Sequence, residues 1–348
     1  MNGFKNVIMK KIFLVISAMF IISIAESQTT TSYKIADKIH IEGDGNWDYI
    51  KADGTTNMLF VSNSSRVIVI DTKINKKIGT ITNTPGVHGI AVAADKNKGY
   101  TTNSSDTSVT VFNLTTLQNI KRIKLTGLSP DAILYDSSTQ KLYTFNATGR
   151  NTTVINTIND SVIATIALNG KPESGVSDEN GFVYVNINDS NIVRVINSST
   201  NQIVKRFTLG TGTSPKAMAI DLVNHRLFVT CSSKLIVLNY DDGSLVATVP
   251  TGGSMDGIAF DPILNRVYCP ISSGAIVVVK ETDASTFTLL ENILTMTGAG
   301  TITINPVTQH VYVPCIEYEP ATNRSHKTHR LHPTSKPFSF TILDIAPL

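Results

Sequence analysis

Apolar residues along the chain fall in short stretches bounded by Asn, Asp, Ser, Gly and Pro, and the stretches recur. A strand-like segment with a central aromatic returns as MLFVSN, GYTTN, LYTFN, VYVNI, LFVTC, VYCPI and VYVPC, placing Phe60, Tyr100, Tyr143, Tyr184, Phe228, Tyr268 and Tyr312 40 to 44 residues apart. A strand such as GIAVA, AILYD, AMAID, GIAFD or TITIN precedes each, across a turn such as DKNKG, DSSTQK, DPILNR or NPVTQH. A third strand (RVIVIDT, SVTVFNL, KLIVLNY) and a fourth (KKIGTIT, LVATVPT) follow. Four short strands in each repeat of roughly 40 to 45 residues predict the blade of a β-propeller. Leucine-rich, ankyrin and tetratricopeptide arrays need helices or another period.

The two ends of the repeat array complement each other. The last repeat has first, second and third strands at TITIN, HVYVPC and FSFTILDI and then ends without a fourth. Ala36 to Gly45, ADKIHIEGDG, lies before the first repeat and matches the fourth-strand pattern of DSVIATIALNG. The expected fold is therefore all-β: a seven-bladed β-propeller of four-stranded blades, closed by the N-terminal strand completing the last blade. Such closure removes the open sheet edges that invite pairing with other chains.

The segments VYVNINDSNIVRVINSSTNQIVKRFTLG and GYTTNSSDTSVTVFNLTTL resemble the YVTN-repeat β-propellers, the YncE-like group of exported bacterial proteins. The resemblance covers essentially the whole chain after its first residues. It implies a seven-bladed propeller in the periplasm or on a bacterial surface, and little about activity, because propellers host enzymes, receptors and scaffolds alike. Only the fourth repeat keeps YVN intact; the others place Ser, Thr, Cys or Pro in the motif.

The entrance to each first strand carries an unexpected polar column. Twelve positions before the aromatic stand Asp48, His88, Asp131, Lys216, Asp256 and Gly300, and Glu173 joins them once the shorter turn of the fourth repeat is allowed for. In a propeller the first strands line the central channel, so this column would ring one mouth. Converging carboxylates can hold a hard cation such as calcium through oxygen. Beside His88 and Lys216 they can bind a small polar molecule, or exchange protons if crowding shifts their pKa values. The plainer reading is a water-filled channel mouth whose carboxylates accept backbone N–H bonds. Copper chemistry would need several converging histidines, whereas the column holds one. The Ser-hydrolase elbow, zincin, Walker and Rossmann motifs are absent from the sequence.

Other residues extend this face. Trp47, the single Trp, precedes Asp48 and can either stack on a ligand or pack where the first and last blades meet. Arg66, Arg150 and Lys234 occupy loops between second and third strands, which emerge on the same face and would make its rim basic. In the last repeat this loop expands to Ile316–Phe338 and carries His326, His329 and His332. Their spacing invites a zinc reading, but Pro333 and the flanking Arg and Lys favour a solvated basic lid.

The first residues read as an export signal. Lys5, Lys10 and Lys11 precede an apolar run from Ile12 to Ala25, which is short of the roughly 20 residues that span a bilayer. Residues 1–27 are expected to be removed, leaving one domain, 28–348, with no transmembrane segment. With 30 Lys+Arg against 27 Asp+Glu, the formal charge of +3 gives no basic patch for nucleic acid. Cys231, Cys269 and Cys315 lie in apolar strands, an odd number without CxxC spacing, and read as small buried hydrophobes. The expectation is an exported, monomeric binding or interaction module whose partner, a small polar ligand or a cell-envelope component, meets the channel mouth. The alternatives are a propeller lactonase or hydrolase using the same Asp/Glu/His ring, with or without a divalent cation, and a surface-layer role for the Asn/Thr-rich outer strands.

Overall fold

A computed structural model describes residues 32–42, 47–318, 336 and 338–348. They form seven four-stranded antiparallel sheets, six of them ordered from four consecutive strands and the seventh completed by the N-terminal strand. In blade 2, for example, the strands are Val87–Ala93, Lys98–Asn103, Ser108–Asn113 and Asn119–Lys124. The aromatic of every repeat lies in the second strand of its blade and is at most 2% exposed.

Each aromatic sits at a seam. Phe60 packs with Val87 and Phe112 of the next blade, Tyr100 with Leu142 and Ile155, and Tyr143 with Val183 and Val185. Tyr184, Phe228 and Tyr268 continue the series, and Tyr312 of blade 7 returns to Leu59 and Ile68 of blade 1. The core is thus a circle of seven inter-blade clusters, with each buried large side chain contributing about 1.5–3 kcal/mol. The period in the sequence is the spacing of these seams.

Tight turns follow from side chains that close on their own backbone. Asp53 accepts from the N–H of Thr56 at 2.7 Å, Asp221 from Val223 at 2.9 Å, Asp261 from Ile263 at 2.8 Å and Asn305 from Val307 at 2.9 Å. Asn57, Asn97 and Asn265 then take left-handed φ values of 56, 51 and 52°, which Asn tolerates better than most residues.

Ring closure joins Tyr33–His40 antiparallel to Thr341–Pro347, the third strand of blade 7. The closing strand begins three residues before the expected Ala36 and ends before Gly45. The earlier start is set by Tyr33, whose hydroxyl lies 2.8 Å from that of Tyr268 and whose ring carries the Arg266 guanidinium 5.2 Å from its centroid. The first strands of blades 6 and 7 are short, Ala259–Asp261 and Thr303–Ile304. Blade 6 compensates with two nine-residue outer strands, Ala275–Asp283 and Thr286–Leu294.

The three cysteines are free and buried, and burial pushes the thiols of Cys231 and Cys269 up to about 12 and that of Cys315 to about 11. No helix among the described residues is long and apolar enough to cross a membrane. The signal segment 1–27 and His326, His329 and His332 of the long loop lie outside the described residues.

Candidate functional site

The polar column is built by a repeated irregularity at the start of the first strands. Pairing with the second strand slips between Trp47 and Ile50, Val87 and Ile90, Pro130 and Ile133, Pro172 and Gly175, and Pro215 and Met218. Asp48, His88, Asp131, Glu173 and Lys216 lie inside these slips. A bulge re-aims a side chain but leaves a backbone N–H without a ladder partner. The second strand supplies one: Ser62 Oγ accepts from Asp48 N at 3.0 Å, Thr102 Oγ1 from Gly89 N at 2.8 Å, Asn186 Oδ1 from Ser174 N at 2.8 Å, and Thr230 Oγ1 from Ala217 N at 2.9 Å. The small polar residue at the third position of the aromatic motif, Ser62, Thr102, Asn186 or Thr230, therefore has a role at the mouth.

Six column residues, Asp48, His88, Asp131, Glu173, Lys216 and Asp256, line one cavity of about 240 Å³. Gly300 contributes no side chain, and its neighbour Thr301 lines the cavity instead. Two further lining residues lie outside the column. Lys171 pairs with Glu173 at 2.7 Å, and Tyr49 reaches in from below. Tyr49 also borders the wider channel beneath, about 420 Å³ and lined by Ile50, Ile90, Ile133, Val176 and Met218, so its ring forms the floor between a polar mouth and an apolar lumen.

Charge is divided across this mouth. On one side His88 Nδ1 lies 2.5 Å from Asp48 Oδ2 and 3.8 Å from Asp131 Oδ1, while on the other Lys216 Nζ pairs with Asp256 at 3.1 Å. The hydrogen bond to Asp48 holds the His88 imidazole above its ordinary pKa against the opposing effect of burial, and the Asp131 and Asp48 charges add to it. Burial and then the neighbouring Asp48 push the Asp131 carboxyl up to about 7, although His88 opposes them. Burial would lower the Lys216 amine, but Asp256, Glu173 and Asp131 together hold it high. Enclosure holds the Tyr49 phenol well above its usual range, and the carboxylates of Asp131, Asp48, Glu173 and Asp256 reinforce it.

Ser104, His88 and Asp48 stand in the order nucleophile, base, carboxylate, with Ser104 Oγ 3.0 Å from His88 Nε2. That line does not make a nucleophile. The Ser104 hydroxyl donates to the Gly86 carbonyl at 3.0 Å, and Ser104 is not among the residues lining the cavity. Its bond to His88 orients the imidazole instead.

Trp47 takes the packing role. Its ring stacks on Phe340 of blade 7 with centroids 4.5 Å apart and an interplanar angle of 16°, and it lies outside the cavity lining. The rim cations stand in the turns between second and third strands, but each is engaged there. Arg66 donates to Asn63 at 3.1 Å, Arg150 pairs with Asp189 of blade 4 at 2.8 Å, and Lys234 donates to Thr211 at 3.3 Å.

Gly89 permits the close approach of His88 and Asp131. A Cβ there would sit 2.7 Å from the Asp131 carbonyl and 2.9 Å from Ile133 N, both backbone atoms. Gly89→Ala is therefore expected to lower stability by about 1–3 kcal/mol, as overpacking does. Denaturant unfolding checks this, and an unchanged midpoint would show that blades 2 and 3 can part there without cost.

No protein-family profile and no curated protein matches the sequence. Solved structures do. A chain of the hydrazine synthase of Kuenenia stuttgartiensis superposes with a TM-score of 0.70 at 15% identity, covering 85% of this chain and 97% of that one. U3-55K superposes with a TM-score of 0.73 at 12% identity over 90% and 99% of the two chains, and the RRP9 WD40 repeats with 0.73 at 12% over 89% and 98%. At such identities the likeness speaks to architecture alone, and by architecture this chain is a seven-bladed β-propeller.

Proposed function

We propose that the chain is an exported bacterial propeller of the YVTN-repeat type, acting as a monomeric binding module that holds a small polar ligand at the channel mouth. One observation carries the binding role: six charged residues from six consecutive blades converge on a single cavity, where an apolar strand entrance would need none of them. Its four carboxyl groups face two amines and an imidazole, so a ligand carrying both donors and acceptors meets a partner on either side. Export rests on the basic and apolar pattern of residues 1–27, and the family on the quoted repeats.

A second reading, hydrolysis of a lactone or ester, is favoured by the Asp131 carboxyl at about 7, a value suited to moving protons near neutral pH. Thermal-shift screening with sugars, lactones, amino acids and short peptides tests the binding role. A ligand is expected to raise the melting temperature of the wild type, by about 3 kcal/mol of stabilisation at a hundred times its Kd, and to lose that effect in Asp131→Ala and His88→Ala. A ligand that stabilises both variants as it does the wild type binds elsewhere. Turnover of a lactone that vanishes in Asp131→Asn would favour the enzyme.

A further inference from the structure

We infer that Asp48, His88 and Asp131 form a three-ligand site for a divalent transition-metal ion at the channel mouth. This deepens the binding role proposed above and rests on it. One carboxylate oxygen from each Asp and one imidazole nitrogen lie within 4.8 Å of one another, contributed by the first strands of three consecutive blades.

The hydrogen-bond direction around His88 supplies an independent reason. Ser104 has one hydroxyl proton and directs it to the Gly86 carbonyl at 3.0 Å. Its oxygen therefore accepts from His88 Nε2, 3.0 Å away, which places a proton on Nε2. In the neutral ring the Nδ1 lone pair then faces Asp48 Oδ2 at 2.5 Å and Asp131 Oδ1 at 3.8 Å. A lone pair set against two carboxylates is repulsive unless positive charge stands between them. A cation bound through Nδ1 supplies that charge and satisfies both carboxylates. The half-buried Tyr49 lines the same cavity, and its hydroxyl makes no hydrogen bond among the described residues.

Donor chemistry narrows the ion. Calcium takes six to eight oxygens, whereas imidazole nitrogen with two carboxylates suits zinc and its neighbours, at ligand distances near 2.0–2.2 Å. Ser104 is the outer partner that fixes the tautomer of a metal-binding histidine. Three protein ligands leave a coordination position open toward the cavity, where Lys171 and Lys216 can steady an anionic group on a bound molecule.

Isothermal titration of the chelator-stripped protein with zinc, manganese and calcium chlorides tests the site. One zinc ion per chain is expected, with calcium far weaker. Ser104→Ala should cost about 10–100-fold in affinity, as loss of an outer partner does, and His88→Ala and Asp131→Asn more than that. The His326→Ala, His329→Ala, His332→Ala triple variant should keep the site. The inference is overturned if stoichiometric binding is absent, if His88→Ala and Asp131→Asn bind as the wild type does, or if the triple variant alone abolishes binding. Failure with zinc alongside an organic ligand still lost in Asp131→Ala removes the metal and leaves the mouth as a binding site.

Discussion

A chain that begins at Glu42, lacking the closing strand, is expected to lose cooperative folding or to associate. Tyr33, Ile39 and Ile41 are 4–6% exposed, and at about 1.5–3 kcal/mol each their burial rivals the roughly 5–15 kcal/mol by which a typical domain is stable. Removal also uncovers the edge of Thr341–Pro347, whose free N–H and C=O groups would template pairing with a second chain. Melting followed by size-exclusion chromatography reads both effects, and a peptide spanning Tyr33–Ile41 should restore the monomer by adding the strand in trans. A truncated chain that stays monomeric and melts near the wild-type temperature would mean that closure contributes little.

Glu281→Gln is expected to stabilise the protein by up to about 3 kcal/mol at pH 8 and to leave it unchanged at pH 4. Glu281 lies two residues before the end of the third strand of blade 6, on the side away from the mouth. It is 2% exposed, and its carboxyl stands against Asp221, Asn224 and Arg226. Burial and then the Asp221 charge push its carboxyl from 4.5 to about 7, against the opposing Arg226. Because the folded pKa lies above the unfolded one, the folded state keeps a proton that the unfolded chain has released. Stability is therefore full below about pH 4.5 and falls as pH rises to about 7, and the amide has nothing to lose. Urea unfolding of both proteins from pH 4 to 8 isolates the effect as a difference. Parallel curves would show that Glu281 ionises in the fold as freely as in water.

Glu281 and the mouth differ in how they could be read from the sequence. The blades were legible because each seam needs a large side chain at one place, so Phe60 through Tyr312 mark the period directly. The mouth column was legible for the opposite reason, since Asp48 and His88 interrupt apolar strands at a fixed distance from those marks. Lys171 escaped because it stands two residues before Glu173 in the blade whose turn is one residue shorter. The aromatic at Tyr49 gave no hint that it would cross the channel as a floor, because alternation along a strand tells inward from outward but not how far a side chain reaches. Ser104 carries no mark in the sequence that sets it apart; only its bonds to Gly86 and His88 give it a role. For Trp47 the sequence left two partners open, and the stacked Phe340 lies almost 300 residues away, at the opposite end of the chain.

The most direct test of the mouth as the binding site is a difference electron-density map from crystals soaked with the strongest stabilising compound of the thermal screen. Density is expected inside the cavity of about 240 Å³, in contact with groups of the Asp48–His88–Asp131 side and with Lys216 or Asp256 opposite. Density confined to the outer strands or to the far face, with the mouth unchanged, would contradict it.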